Sequence, residues 1–160
     1  MTKAAPSSIS TALGRIPSGL YIVTTSLERR PIGFLGSFVQ QVGLTPPVVC
    51  VGFAKDRPHL AECVASGRFA LSILDEASQP LKRAFLKRVA EGESAFDGLN
   101  VAHAKSGNPV LVDALAWLDC KIVGRHDTHD HAVLFGEVVE ASVQRAGDPY
   151  VHLRKNGLGY

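Results

Sequence analysis

The chain has 160 residues, of which 46% are hydrophobic and 20% charged, and this composition is typical of one globular domain with its own core. We therefore expect a single domain over residues 1–160, in which residues 1–7 are flexible. Its formal net charge of +2 at pH 7 gives no reason to expect nucleic-acid binding. No apolar run reaches the roughly 20 residues that span a membrane, and the first residues lack the apolar core of a signal peptide, so we expect a cytoplasmic protein without a membrane segment.

The first predicted elements are a short helix and a strand. Residues 8–16 are predicted to form the helix, because Ile9, Leu13 and Ile16 recur on one helical face. The alternation of side chains over residues 20–26 predicts the strand, and the polar run at residues 28–31 predicts the turn after it.

Residues 30–57 form the most informative stretch of the sequence. They predict two strands joined by a turn: residues 33–41, which carry two glycines, a serine and two glutamines, and the apolar residues 48–53, which we expect to be buried on both faces. The turn lies at residues 44–47, because two prolines are not tolerated inside a central strand. A helix is predicted over residues 57–66, with Asp56 as its N-cap and Pro58 in its first turn, ending at Gly67. Its inner face is predicted to carry Leu60, Cys63 and Val64.

Basic residues flank the start of that predicted helix. Lys55 and Arg57, together with unpaired backbone N–H groups of a first helical turn, make a suitable phosphate site. The neighbouring glycine–serine–glutamine strand allows a planar ring to approach the backbone. The alternative is a buried strand followed by a solvated, capped helix, and the residues alone favour that alternative.

The second half of the sequence alternates strands with one helix and one long loop. Residues 68–74 predict a strand, and Ser78 is predicted to cap a helix whose apolar residues are Leu81, Phe85 and Val89. The basic residues around them indicate either a solvated helix face or attraction of a phosphorylated cosubstrate such as NADPH; they are Lys82, Arg83, Lys87 and Arg88. Residues 91–107 predict a long loop, in which Phe96 and Leu99 either cover a ligand or only anchor the loop.

Two long strands are predicted next, over residues 114–124 and 132–144, with Trp117 in the core. The turn between them carries His126, His129 and His131, which are suitable metal ligands, but their spacing matches no known helical zinc motif and we predict no metal site. Residues 150–154 predict a last short strand. The cysteines are odd in number and widely spaced, so we expect buried free thiols rather than a disulfide or zinc site at Cys50, Cys63 and Cys120.

Strands outnumber helices in this set of elements, and they do not alternate regularly with helices as in a doubly wound sheet. The prediction is therefore a mainly β protein, an antiparallel barrel with peripheral helices. The sequence contains neither a G-x-G-x-x-G motif nor a P-loop motif. Any nicotinamide cofactor would therefore lack a domain of its own.

An ordered series of tracts from about residue 9 to the C-terminus resembles the flavin reductase-like, FMN-binding split-barrel family. The tract Ser37-Phe38-Val39-Gln40-Gln41 is more similar to the flavoredoxin and diflavin flavoprotein branch than to the Ser/Thr-rich tract of many flavin reductases. This departure leaves open whether reduced flavin is released or stays bound. The other matching tracts are residues 16–25, 44–47, 54–57, 69–74, 130–131, 136–141 and 152–157.

The resemblance implies an antiparallel Greek-key split β-barrel and a homodimer that binds FMN, or alternatively FAD, in a groove between its subunits. The phosphate would bind Lys55 and Arg57, and Gln40 and Gln41 would bond ring edges or ribityl hydroxyls. The isoalloxazine would be lined by the backbone of Leu35, Gly36, Ser37 and Phe38. Arg154 would be a further flavin contact, because the C-terminal tail would fold back towards the cofactor. His131 would lie near the nicotinamide or flavin face as the one candidate catalytic residue.

Three functions remain open at this stage. The first is an NADH- or NADPH-dependent oxidoreductase that transfers a hydride to flavin. The second is a flavin-binding electron carrier that works with a redox protein partner and has no NAD(P)H activity of its own. The third is a member of the fold that binds haem or no cofactor.

Overall fold

The computed structural model describes residues 7–159. Of the segment 1–7 that was predicted to be flexible, residues 1–6 lie outside this range. Its helices are α1 (Ser8–Leu13), α2 (His59–Ser66) and α3 (Gln79–Leu86), the last preceded by a 3-10 turn at Glu76–Ser78. The strands are β1 (Tyr21–Leu27), β2 (Arg30–Gly36), β3 (Val39–Leu44), β4 (Pro47–Ala54), β5 (Arg68–Ile73), β6 (Val101–His103), β7 (Pro109–Leu111), β8 (Ala116–Asp127) and β9 (His131–Val143).

Seven of these strands form one antiparallel sheet in the order β2-β1-β5-β8-β9-β4-β3, and β6 pairs with β7 apart from it. β2 and β3 are consecutive in the chain yet lie at opposite ends of this order, with only Ser37 and Phe38 between them. Because so short a connection spans at most about 11 Å, the two edges of the sheet must come together. The sheet therefore curls into a barrel that is open between β2 and β3, and we call this opening the split.

The barrel confirms the predicted fold class, mainly β and antiparallel with helices at the periphery. β5 returns through α2 to pair with β1, which is a Greek-key connection. The prediction of a single strand over residues 33–41 is wrong, because the chain leaves the sheet at Ser37 and Phe38. The two halves of that segment belong to opposite edges of the sheet.

Two hydrophobic clusters lie on the two faces of β1. Val23 belongs to the cluster inside the barrel, to which α2 contributes Leu60 and Cys63. Its neighbour Ile22 belongs to the second cluster on the outer face, which contains Leu81 of α3. The alternation of side chains along a strand thus assigns one helix to each face.

The N-terminal helix is shorter than predicted and its apolar face is not buried. It ends at Leu13, and Ile9 and Ile16 are 66% and 56% exposed. Its buried residue is Ser10, whose carbonyl accepts a hydrogen bond from the Gly157 N–H of the C-terminal tail. Contact with the tail, rather than an apolar stripe, therefore positions this helix.

The region around α2 also differs from the prediction in detail. Pro58 rather than Asp56 is the N-cap, and no side chain caps this helix. Val64 is exposed, whereas Gly67 ends the helix in the left-handed conformation as predicted. The strand before it is not buried on both faces, because fully buried and half-buried residues alternate along β4.

Ser78 precedes α3 as predicted, but its hydroxyl bonds to the carboxylate of Asp75 and does not cap α3. The helix ends at Leu86, so Val89 lies outside it. Phe96 packs edge-on against Phe85 with ring centroids 5.1 Å apart, and both join the second cluster. That contact favours the anchoring role over the ligand-covering one for this part of the loop.

The long loop, the last strand and the cysteines agree with the sequence only in part. The long loop contains the short strand β6, and the predicted last strand is reduced to one bridge between His152 and Ser18. The three cysteines are free; Cys63 and Cys120 are buried, and burial raises the pKa of each thiol to about 12, whereas Cys50 is half-buried. Within residues 7–159, no helix has both the length and the apolar composition needed to cross a membrane.

Candidate functional site

A cavity of about 480 Å³ lies at the split. Its wall contains the last residues of β2, the connection to β3, part of β4, one face of α3 and the C-terminal tail. The lining residues are Leu20, Phe34, Leu35, Gly36, Ser37, Phe38, Gly52, Ala54, Arg57, Lys82, Phe85, Leu86, His152 and Arg154.

The cavity extends from the barrel interior to the outer face of the sheet. Phe34 packs against the interior cluster and Leu35 against the outer cluster, and both line the cavity. A Cβ added to Gly52 would lie 3.1 Å from the Cβ of Phe38. Glycine at this position therefore allows the β2–β3 connection to pass close to β4.

Among the residues that the structure describes, the ionisable ones that line the cavity are all basic: Arg57, Lys82, His152 and Arg154. Burial lowers the pKa of His152, and the charges of Lys82 and Arg154 lower it further. Within residues 7–159, the cavity wall thus carries three permanent positive charges and no carboxylate. Such a wall attracts an anion.

Two of these cations lie against aromatic rings. The Arg154 guanidinium is 4.8 Å from the centre of the Phe38 ring, and the Lys82 Nζ is 4.9 Å from the centre of the Tyr150 ring. A ring face holds a cation without neutralising its charge. Both charges therefore remain available to a bound anion.

The tail residues in the cavity come from an extended segment. His152 and Arg154 are half-buried, whereas Val151, Leu153 and Lys155 on either side of them are exposed. His152 exchanges backbone hydrogen bonds with Ser18, at 2.7 and 3.0 Å, which fixes this alternation against the start of the chain.

The structure brings together most of the residues that the sequence indicated as a binding site. Leu35, Gly36, Ser37 and Phe38 all line the cavity, and so do Arg57 and Arg154. Arg57 lies between the end of β4 and the first turn of α2. It therefore adds its charge to that of the helix N-terminus, where backbone N–H groups are unpaired.

Four of the indicated residues lie outside the cavity wall: Lys55, Gln40, Gln41 and His131. The Lys55 Nζ donates to the backbone carbonyls of Thr128 and His129 in the β8–β9 turn. Gln40 and Gln41 are exposed on the edge strand β3, where their amide groups donate to the Gln41 and Gly43 carbonyls.

His131 lies behind Phe38 rather than in the cavity wall, with the two ring centres 5.6 Å apart. Its Nδ1 is 3.0 Å from the carboxylate of Asp130, and this hydrogen bond lowers the pKa of the Asp130 carboxyl group. Across residues 7–159, no three His, Cys, Asp or Glu side chains come close enough together to hold a metal ion.

Lys82 and His152 also line the cavity. The sequence indicated Lys82 only within a group of four basic residues, as an alternative to a solvated helix face, and it did not indicate His152. A signal for Lys82 exists, because Lys82, Phe85 and Leu86 have the i, i+3, i+4 spacing of one helix face and all three line the cavity. The alternation of His152 and Arg154 along the tail is the corresponding signal for the other side.

Comparison with known proteins gives a family match over most of the chain. Residues 13–157 match the family described as Flavin reductase like domain. Diflavin flavoprotein A 1 of Synechocystis sp. is 38% identical over 160 residues, a match that covers 99% of this chain and 28% of that protein. The chain thus spans little more than a quarter of the length of this curated relative.

Solved structures have the same fold. Nitrilotriacetate monooxygenase component B from Mycobacterium thermoresistibile superposes with a TM-score of 0.82 at 31% identity, over 91% of this chain and 80% of that one. The Streptomyces globisporus C-1027 NADH:FAD oxidoreductase SgcE6, solved with NAD and FAD fragments, gives a TM-score of 0.79 at 26% identity, over 91% of this chain and 86% of its own.

Proposed function

Because the chain belongs to the family of flavin reductase like domains, we propose that it binds FMN at the split and transfers a hydride to that flavin from NADH or NADPH. The observation that carries the proposal is the cavity at the split, whose ionisable lining residues are all basic in the described part of the chain. FAD is the alternative flavin, since one similar structure was solved with FAD and NAD fragments.

The cavity suits such a cofactor in size and in chemistry. Its volume of about 480 Å³ lies in the usual range for small-molecule sites, roughly 300–1,000 Å³. Apolar side chains of Phe34, Leu35 and Phe38 offer contact to a flat ring, and Arg57 offers a charge-assisted hydrogen bond to a phosphate. Glycine at position 52 allows Phe38 to lie close to β4, and both residues line the cavity.

We assign a role to each residue of the proposed site. Arg57 and the first-turn N–H groups of α2 hold the phosphate, and Lys55 adds positive charge on the same connection. The backbone of residues 35–38 lines the ring. Gln40 and Gln41 reach the ring edge or ribityl hydroxyls only through rotation of their exposed side chains, and Arg154 covers the ring from the tail side.

The protein's contribution to the reaction is binding and orientation. When bound, the flavin supplies the hydride-accepting chemistry, and the protein positions the donor against it. Hydride transfer requires no acid or base from the chain. His131 therefore acts in our proposal through Phe38, whose ring it supports from behind.

The proposal is tested by flavin binding and by NAD(P)H oxidation. We expect a flavin absorption band at roughly 450 nm after incubation with FMN, and Arg57→Met should weaken FMN binding by roughly tenfold, since a hydrogen bond to a charged group contributes about 1.5–3 kcal/mol. Arg83→Met on the exposed side of α3 is the matched control and should leave FMN affinity unchanged. A protein that takes up no flavin, or a flavin-loaded protein that oxidises neither nicotinamide, would contradict the proposal.

A second candidate function is that of an electron carrier without NAD(P)H activity. It is favoured by the curated relatives, whose name describes two flavins. This chain spans only 28% of one of them. Slow reduction of the bound flavin by both nicotinamides, with fast reduction or oxidation by another redox protein, would select this function over the first.

We also propose that the chain forms a homodimer through α1 and the tail. Several large apolar side chains are more than half exposed there: Ile9 of α1, Ile16 just after it, and Leu153 and Leu158 of the tail. A hydrogen bond joins α1 to the tail. An exposed apolar surface of this kind is typical of an interface. Light scattering after size-exclusion chromatography should give twice the mass of one chain. In Leu153→Glu the measured mass should fall towards that of a single chain.

A further inference from the structure

We propose that Lys82 and Arg154 form a second phosphate subsite in the cavity, which binds a phosphate of a dinucleotide. This inference rests on the proposed function and adds to it. The phosphate of FMN is assigned to Arg57, so the second subsite is expected to serve a ligand with phosphates beyond that one: NADH, NADPH or FAD.

Arg57 and Lys82 come from different elements of the cavity wall. Arg57 follows β4 and lines the cavity together with Gly52 and Ala54 of that strand. Lys82 belongs to α3, which packs on the outer face of the sheet beside Leu35. Because the phosphate of FMN is assigned to Arg57, the charge of Lys82 is left for a second phosphate.

Lys82 and Arg154 keep their charges within the fold. Among the residues that the structure describes, neither forms an ion pair, and each lies against an aromatic ring. Arg145, by contrast, is bound to the carboxylate of Asp75. A half-buried cation that faces a cavity where the described residues place no carboxylate keeps most of its attraction for a ligand anion.

Lys82 and Arg154 reach the cavity from two distant parts of the chain, a helix and the tail. His152 lines the same cavity, and both charges act on it, because each lowers its pKa. Its ring can donate a hydrogen bond to an anion bound there. Helix and tail thus each bring a cation to the cavity, and a hydrogen-bonding group lies near both.

The experiment titrates the full chain with two probes that need no turnover, adenosine 2′,5′-bisphosphate and ADP-ribose, with and without FMN. The variants are Lys82→Met and Arg154→Met, with Arg83→Met and Lys155→Met as controls on the exposed sides of the same segments. Calorimetry gives the dissociation constant of each probe, and steady-state kinetics give KM for NADH and NADPH. Lys82→Arg keeps the charge and should restore affinity.

We expect each cation removed to weaken probe binding by roughly tenfold, as for a hydrogen bond to a charged group, while both controls bind like the wild type. Loss for adenosine 2′,5′-bisphosphate and NADPH alone would assign the subsite to the 2′-phosphate, and an equal loss for ADP-ribose and NADH would assign it to the pyrophosphate. Weaker FAD binding with unchanged FMN binding would assign it to the flavin dinucleotide.

Equal affinity of the wild type and Lys82→Met for both probes and for FAD would overturn the inference. Because the probes are titrated with and without FMN, that result is distinct from failure of the proposed function, in which no flavin binds. Arg154 also contacts Phe38, so Lys82→Met, which leaves that contact intact, decides the outcome.

Discussion

Two arginines of the protein, Arg145 and Arg154, are used in opposite ways. Arg145 binds both carboxylate oxygens of Asp75, at 2.5 and 3.0 Å, and also donates to the backbone carbonyls of Asp113 and Ala114. Arg154 lies over the Phe38 ring and lines the cavity. The hydrogen-bond donors of Arg145 are thus used within the fold, whereas the charge of Arg154 faces the cavity.

The difference shows where charge serves stability and where it serves binding. Asp75 is 9% exposed and joins the connection after β5 to Arg145 beyond β9, so its pair closes a long loop of chain. The cavity cations are held by aromatic rings, which fix their position at little cost in charge. Removing a charge from the Asp75–Arg145 pair should therefore lower the free energy of unfolding. Removing a charge from the cavity should weaken ligand binding instead.

Asp75→Asn should give the largest effect, because it leaves the Arg145 guanidinium with a neutral partner in a largely buried site. We expect a loss of about 3 kcal/mol in the free energy of unfolding, the lower end for removing one partner of a buried ion pair. Urea denaturation at pH 7 measures it, with Asp148→Asn on the exposed surface as the control. The folded fraction should bind FMN as the wild type does, and a variant with normal stability would refute the stabilising role of this pair.

The same pair predicts a pH dependence. The hydrogen bond from Arg145 lowers the pKa of the Asp75 carboxyl below its ordinary value. A carboxyl group with a lowered pKa contributes stability above its unfolded pKa of about 3.9, and this contribution is lost as pH falls through the lower folded value. Below pH 4 the stabilities of the wild type and Asp75→Asn should therefore converge. A difference that stays constant down to pH 2 would show that the charge of Asp75 is not its cause.

The sequence was informative about the fold because strand periodicity is local. Alternation along residues 20–26 and the apolar runs at 48–53 and 68–74 place three strands near their observed positions. It was less informative at residues 33–41, where a periodic segment crosses from one edge of the sheet to the other. Nothing local distinguishes that crossing from a continuous strand, since it depends on how the whole sheet curls.

The cavity was predictable only in part. A glycine-bearing strand before a basic helix start allowed a ligand site, although the residues alone favoured a solvated helix, and it was the family resemblance that assigned residues 35–38 and Arg57 to the flavin. Lys82 and His152 belong to segments far along the chain, and only the packing of α3 and the tail brings them to the split. Lys55 shows the converse, because sequence proximity to Arg57 does not prevent its Nζ from bonding to the β8–β9 turn.

The smallest predicted effect on stability comes from adding one methyl group beside the cavity. In Gly52→Ala the new Cβ would lie 3.1 Å from the Phe38 Cβ, and Phe38 lies in the short β2–β3 connection, where it can shift. We expect the free energy of unfolding to change by under about 1 kcal/mol, since crowding against Phe38 is offset by the lower entropy of the unfolded chain. FMN binding should weaken roughly fivefold, which corresponds to about 1 kcal/mol of binding free energy.

Gly136→Ala is the matched control, because its Cβ would lie 2.5 Å from the Phe69 Cζ and 2.8 Å from the Cys120 Cβ in the closed core. It should cost about 1–3 kcal/mol in denaturation experiments with unchanged FMN affinity in the folded protein, and the opposite pattern would show that Phe38 does not border the flavin site.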